Sequence, residues 1–144
     1  MTDSKSGPHD KRFRRSVKYD RWDDWQAARR VGEGLSTGAL DVVRESFDPT
    51  YDELSDVVQI APRTLARRRT QARLRPDESE RVYRLLKLID LASVVLGDDD
   101  EARVWFREPN HALGETAPLE LANTEPGVAI VSRLLNQIRH GIVS

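Results

Sequence analysis

The chain has 144 residues, a length that allows one compact domain or two small ones sharing a core. It has no cysteine, and its net charge of −1 results from 23 basic and 24 acidic side chains. The lack of cysteine excludes disulfides and the usual cysteine zinc sites, so we expect a reducing cytoplasm as its location. Because the charges nearly cancel, nucleic-acid binding can be inferred only from their distribution.

The first twenty residues are polar, contain one Gly-Pro pair and carry a cluster of lysine and arginine. We predict a flexible arm for residues 1–20, which is either a solvated tail or a basic arm that follows a phosphate backbone. The arm has no apolar core of the kind found in secretory signals. No window of the chain approaches the roughly twenty apolar residues of a membrane span, so we expect no membrane partner.

Beyond the arm, apolar residues recur at helical spacing, and no stretch alternates long enough to indicate a strand. The stretch "WDDWQAARRVG" predicts a helix that stops at Gly32, and "STGALDVVRESF" predicts a second one that stops before Asp48. In "TYDE", Glu53 follows Thr50 by three residues, which is the form of a capping box. We therefore predict an all-α protein with a third helix that begins at Thr50.

The next stretch, "IAPRTLARRRTQARLR", contains six arginines and no acid. Pro62 suits the first turn of a helix, and Leu65 and Ala66 are predicted to face inward. Two short helices joined by a tight turn, the second one basic, have the layout of a helix-turn-helix, whose second helix lies in the major groove of DNA.

Arginine can donate two hydrogen bonds to guanine, and threonine can contact a phosphate, a base edge or a thymine methyl. We predict that the side chains near the helix start point outward and that the later arginines reach phosphates. The predicted DNA-binding residues are Arg63, Thr64, Arg67, Arg68, Arg69 and Arg73.

Two residues depart from the common pattern of this motif. Gln59 occupies a turn position where glycine often provides a positive φ, and Ala61 stands where a Ser or Thr N-cap is expected, which forgoes about 1 kcal/mol. RNA, an acidic protein surface, or a merely solvated helix face stay open as alternatives to DNA.

The longest periodic segment, Ser79–Leu96, is apolar almost all round and must be covered on several sides. It is predicted to lie at the centre of the domain or of a dimer. The run Asp98–Glu101 suits the first turn of a short helix and lacks the spaced ligands of a calcium loop. A last helix is predicted for residues 126–140, with Gly141 at its end.

The sequence gives little support to an enzymatic function. Its histidines, His9, His111 and His140, are far apart, and no metalloprotease, nucleophile-elbow, phosphate-loop or dinucleotide motif is present. We expect no catalytic residue, no metal and no cofactor.

Four segments together resemble the Xre/MbcA/ParS antitoxins of type II toxin-antitoxin systems. They are "IAPRTLARR", "RLRPDESERVYRLLKLIDLASVVLGD", "WFREPNHALGETAPLEL" and "LLNQIRHGIVS", and they occur in the family's order over about residues 35–144. The resemblance implies a helix-turn-helix region that represses its own operon and a C-terminal region that binds a RES-domain, NAD-consuming toxin.

The resemblance also implies that the C-terminal end blocks the toxin's active site. The implied toxin-binding residues are Arg139, His140, Gly141, Ile142, Val143 and Ser144. We predict a helix-turn-helix region over residues 21–76, a toxin-binding region over residues 77–144, and a homodimer that reads two half-sites. The alternative is a stand-alone transcriptional regulator without a toxin.

Overall fold

The computed structural model describes residues 22–142, which form eight α-helices and one 3₁₀ turn. The helices are α1 (Asp24–Glu33), α2 (Gly38–Phe47), α3 (Tyr51–Val58), α4 (Pro62–Arg68), α5 (Pro76–Leu96), α6 (Asp99–Arg107), α7 (Pro118–Leu121) and α8 (Glu125–Arg139). The 3₁₀ turn covers His111–Leu113, and this part of the chain has only two isolated β-bridges. The prediction of an all-α fold is confirmed; the predicted arm lies outside the described residues.

Helix α1 ends two residues later than the sequence predicted. Its C-cap is Gly34, with φ of 92°, whereas Gly32 is an ordinary helical residue. A Cβ on Gly34 would lie 2.3 Å from the carbonyl oxygen of Leu74. The helix therefore ends where residues 34–37 pair with residues 71–74, an approach that a side chain would prevent.

The long helix α5 begins at Pro76 and ends at Gly97, whose φ is 98°. Its apolar side chains are buried within the single chain, and the fully enclosed ones are Val82, Leu85, Leu86, Leu88, Ile89 and Ala92. The helix contacts α1, α2, α3, α6 and α8. The predicted central position is thus confirmed, and the core of one chain covers most of the apolar surface.

Arginines of α6 connect the C-terminal half to the helices around α3. Arg103 donates two hydrogen bonds to the carbonyl oxygen of Glu45 (3.1 and 2.9 Å), and Arg107 pairs with Glu53 at 3.1 Å. Phe106 packs edge-on against Phe47, with ring centroids 4.8 Å apart. No helix within residues 22–142 is long and apolar enough to cross a membrane.

Candidate functional sites

The helix-turn-helix is built from α3, a tight turn and α4. Thr50 and Glu53 form the predicted capping box, with the Glu53 amide donating to Thr50 Oγ1 at 3.1 Å and the Thr50 amide to Glu53 Oε1 at 2.9 Å. At the other end Gln59 adopts φ of 55°. The sequence therefore located correctly both the start of α3 and the turn residue that needs a positive φ.

A residue of the long helix completes the end of α3. Arg81 donates to the carbonyl oxygens of Val58 (3.0 Å) and Gln59 (2.9 Å), two groups that have no partner inside their own helix. Ser55 Oγ also donates to the Ile60 carbonyl at 2.6 Å. These bonds hold the turn in place although it lacks glycine. Sequence reasoning missed the role of Arg81, which lies more than twenty positions away.

Helix α4 begins as predicted, with Pro62 in its first turn and Ala61 at the N-cap without a side-chain cap hydrogen bond. The Tyr51 hydroxyl donates to the Pro62 carbonyl oxygen at 3.1 Å, which ties the start of α3 to the start of α4. Leu65 is buried, whereas Ala66 is exposed. The prediction that Ala66 faces inward is therefore wrong.

Most of the predicted DNA-binding side chains reach solvent. Arg63, Arg67 and Arg69 are exposed on or just after α4, Thr64 is half-buried, and Arg73 is exposed in the following segment. None of these four arginines forms an ion pair with another residue of the range 22–142. These guanidinium groups have no carboxylate partner within the described residues, which favours their contact with a polyanion.

Arg68 corrects the predicted set, because it is only 7% exposed and points into the protein. Its Nε donates to Glu78 Oε1 at 2.8 Å and its Nη2 to Glu78 Oε2 at 3.0 Å, and Glu78 is itself 5% exposed. Arg68 follows Leu65 by three residues, and residues three apart share a helix face. The position that buries Leu65 therefore also turns Arg68 inward.

The charges of this pair are stabilised in place. Burial disfavours ionisation of Glu78, but the donors of Arg68 and the backbone N–H of Arg75 (2.9 Å) outweigh it and lower the pKa of Glu78 below its ordinary value. The hydrogen bond to Glu78 correspondingly raises the pKa of Arg68. The pair is thus ionised at neutral pH, and it fixes α4 against the first turn of α5.

The C-terminal end of α8 has the hydrogen bonds of a Schellman motif. The Gly141 amide donates to the Ile138 carbonyl oxygen at 3.1 Å and the Ile142 amide to that of Gln137 at 2.9 Å, with Gly141 at φ of 74°. This confirms Gly141 as the residue that ends the helix. The turn directs Ile142 away from the core, and its side chain is 71% exposed.

The other residues implied for toxin binding lie beside Ile142. Arg139 and His140 are exposed, whereas Val143 and Ser144 lie outside the described residues. A groove of about 480 Å³ between α5 and α8 is lined by both apolar and charged side chains, among them Leu91, Val94 and Val128 and also Arg84, Lys87, Asp90 and Arg139. The C-terminal half therefore offers solvent both a charged end and a groove of mixed apolar and charged character.

The remaining polar motifs have structural roles. Asp98 caps α6 by accepting from the Glu101 amide at 2.7 Å, as the acidic run predicted. Asn110 accepts from the Ala112 amide at 2.9 Å, and Gly114 has φ of 68°, so the "PNHALG" loop uses these residues for its shape. Within residues 22–142 no group of three or more histidine, aspartate or glutamate side chains is placed to hold a metal ion.

Comparison with known proteins identifies both halves of this arrangement. Residues 26–87 match the "Antitoxin Xre-like helix-turn-helix domain", and residues 91–141 match the "Antitoxin Xre/MbcA/ParS C-terminal toxin-binding domain". An "Antitoxin Xre" of Yersinia enterocolitica is 33% identical over 113 residues, which are 77% of this chain and 76% of the relative. The chain belongs to the Xre antitoxin family. The predicted family is confirmed, and the protein is an antitoxin with a toxin-binding domain.

Other relatives extend this result. An "Antitoxin Xre" of Pseudomonas putida is 28% identical, in an alignment that covers 82% of this chain and 74% of the relative. A "Prs ADP-ribosylating antitoxin" of Sphingobium is 35% identical over 77 residues, 47% of this chain and 48% of the relative. The crystal structure of the M. tuberculosis MbcT-MbcA toxin-antitoxin complex matches with a TM-score of 0.57 at 26% identity, covering 75% of this chain and 96% of that one.

Proposed function

We propose that this Xre-family antitoxin neutralises a RES-domain, NAD-consuming toxin by forming a complex with it, and not by catalysis. The toxin-binding region contributes α8 and the groove beside it, and the C-terminal end, residues 139–144, blocks the toxin's active site. The exposed end of α8 carries this proposal: the Schellman turn at Gly141 leaves Arg139, His140 and Ile142 projecting from the fold, where another protein can enclose them.

Co-expression tests the toxin assignment. The reading frame next to this gene should stop growth and deplete cellular NAD when expressed alone, and the full-length antitoxin should restore both. A chain that lacks residues 140–144 should fold, because the described part of this end, His140 to Ile142, is exposed, yet it should no longer protect. A neighbouring frame that is harmless and does not bind the antitoxin would contradict the proposal.

A matched pair of substitutions locates the blocking end more finely. Arg133 and Arg139 are both exposed arginines of α8, so replacing either with alanine changes the net charge equally. Arg139→Ala should weaken protection from the toxin, and Arg133→Ala should not. Equal effects would mean that the overall charge of α8, and not its end, determines inhibition.

We also propose that the antitoxin represses its own operon through α4, in the cytoplasm. Support comes from the exposed guanidinium groups of Arg63 and Arg67, which form no ion pair with another residue of the range 22–142, and from the hydrogen-bonded turn before them. Arg63→Ala/Arg67→Ala should derepress a reporter fused to the region upstream of the gene, while toxin inhibition is retained. Full repression by this double variant would exclude α4 as the DNA-reading element.

A homodimer is part of this proposal, since a helix-turn-helix dimer reads two half-sites about one helical turn apart. Light scattering of the purified chain should give twice the mass of the monomer. A monomer that binds a single half-site would contradict this part.

A further inference from the structure

A basic cleft lies beside the segment that follows the predicted DNA-reading helix. Its volume is about 320 Å³, and it is formed between the C-terminal part of α1 and residues 72 and 73. Two arginines from distant parts of the sequence, Arg30 and Arg73, line it together with Ser36 and Trp22, and no acidic residue among residues 22–142 does. The cleft lies outside α4, so the sequence motif did not indicate it.

The walls of the cleft are fixed by backbone contacts. The Leu74 amide donates to the Leu35 carbonyl oxygen at 2.8 Å and the Thr37 amide to that of Ala72 at 3.1 Å. Arg73 Nη1 donates to the Gly34 carbonyl oxygen at 2.8 Å. Because these bonds join the end of α1 to residues 71–74, the backbone segments that carry the two arginines keep their relative positions without a ligand.

The donors that face the cleft suit a phosphate group. Arg73 uses one N–H on Gly34, which leaves further N–H groups of its guanidinium for a ligand. Arg30 lies over the Trp22 ring, with its Cζ 5.3 Å from the ring centroid, and Ser36 Oγ accepts from the Gly38 amide at 3.2 Å while its O–H can still donate. Neither arginine forms an ion pair within residues 22–142. Paired guanidinium groups of this kind bind phosphate oxygens in a forked geometry.

The cleft is also close to the reading helix along the chain. A tight turn, with the Thr70 amide bonded to the Arg67 carbonyl oxygen at 3.2 Å, connects α4 to Arg73. Six extended residues span at most about 20 Å, and the major groove is about 12 Å wide. With α4 in the groove, Arg73 is therefore within reach of the phosphate backbone at its edge.

We propose that this cleft binds a backbone phosphate of the operator DNA, with Arg30 and Arg73 as the ligating residues. The proposal rests on operator binding by α4 and adds α1 to the DNA interface. The contact carries no sequence information; it positions the duplex and makes binding more dependent on salt.

The test measures the affinity of the full-length chain for a fluorescent duplex from the region upstream of its gene, and for a scrambled duplex, between 50 and 200 mM KCl. Arg30→Ala should weaken both roughly three- to tenfold and reduce the slope of log K against log[KCl] by about one. Arg29→Ala is the control, because Arg29 is an exposed neighbour on the same helix that does not line the cleft. Its slope should stay at the wild-type value, and Arg30→Lys should recover part of the affinity.

The outcomes separate the two proposals. If the wild-type chain does not bind the upstream duplex, operator binding itself is wrong and the cleft assignment fails with it. If binding depends on Arg63 and Arg67 but Arg30→Ala behaves like Arg29→Ala, only the cleft assignment fails. A third outcome would show that the cleft holds a free phosphate and not DNA. In that case millimolar inorganic phosphate or pyrophosphate raises the melting temperature of the wild type but not of Arg30→Ala, while the two proteins have equal slopes of log K against log[KCl].

Discussion

Replacing Arg68 distinguishes a positioning role from direct contact with DNA. In Arg68→Ala the carboxylate of Glu78, 5% exposed, loses both of its guanidinium donors and keeps one backbone N–H. Breaking a buried ion pair from one side costs about 3 to 5 kcal/mol, a large part of the 5 to 15 kcal/mol that stabilises a typical domain. Urea unfolding followed by circular dichroism should show a loss of this size.

The double variant Arg68→Met/Glu78→Leu provides the control. Removing both charges leaves no carboxylate without a partner, and apolar replacements of similar volume are often neutral or stabilising. This variant should lose only about 1 kcal/mol of unfolding free energy, because the Arg75 amide loses its Glu78 acceptor at the start of α5. It should also retain operator affinity if Arg68 only positions α4, whereas a base contact by Arg68 would be lost at a cost of roughly 1 to 3 kcal/mol.

The pH dependence provides a second test of the pair. The pKa of Glu78 is lowered in the folded protein, so its contribution to stability is present above the unfolded value near 4.5 and is lost as the pH falls through the folded pKa. In Arg68→Ala, burial without the arginine should raise the pKa of Glu78. The difference in unfolding free energy between wild type and this variant should therefore shrink as the pH falls. A difference in stability that is small at pH 7, or constant down to pH 3.5, would refute the reasoning.

Three further predictions concern backbone geometry. Gly127→Ala should destabilise the chain by roughly 1 to 3 kcal/mol in urea unfolding, because its Cβ would lie 1.6 Å from the Leu121 carbonyl oxygen. Gly32→Ala should instead stabilise the chain by about 0.5 to 1 kcal/mol, because a Cβ there would have nothing within 4 Å. Gly141→Ala should fray the last turn of α8, since φ of 74° costs a side chain about 1 to 2 kcal/mol, and should weaken toxin inhibition with little change in the urea midpoint. Gln59→Gly should raise the free energy of unfolding by up to about 1 kcal/mol, because it removes a side chain from φ of 55°. A lower free energy would show that the bond from the Gln59 side chain to the Asp56 carbonyl oxygen matters more.

Local features of the structure followed from the sequence where the signal was local. The capping residues Thr50 and Asp98, the turn at Gln59 and the terminal Gly141 each depend on contacts within a few positions of the chain. Helical spacing likewise gave the central position of α5. These features need no knowledge of the tertiary arrangement, which is why pattern and capping rules sufficed for them.

The incorrect predictions involve contacts between distant parts of the chain. Arg68 belongs to a stretch with six arginines and no acid, but its partner Glu78 lies ten positions later, beyond the end of that stretch. The end of α1 depends on the approach of Leu74 to Gly34, which nothing near Gly32 indicates. The three-residue spacing from Leu65 to Arg68 indicates that Arg68 is buried on the same helix face. The prediction of an outward Arg68 followed instead from the arginine-rich composition of the stretch.

Helix α5 connects the two surfaces on which the proposed functions depend. Two residues in its first turns hold the helix-turn-helix: Glu78 bonds to Arg68 of α4, and Arg81 bonds to the carbonyl oxygen of Val58 at the end of α3. Its later turns pack against α8. The predicted domain boundary after residue 76 stays a prediction. A chain divided at that point would separate Glu78 and Arg81 from α4 and α3, the helices that they support. Because a helix of 21 residues is about 30 Å long, this one element can contact both the helix-turn-helix and α8.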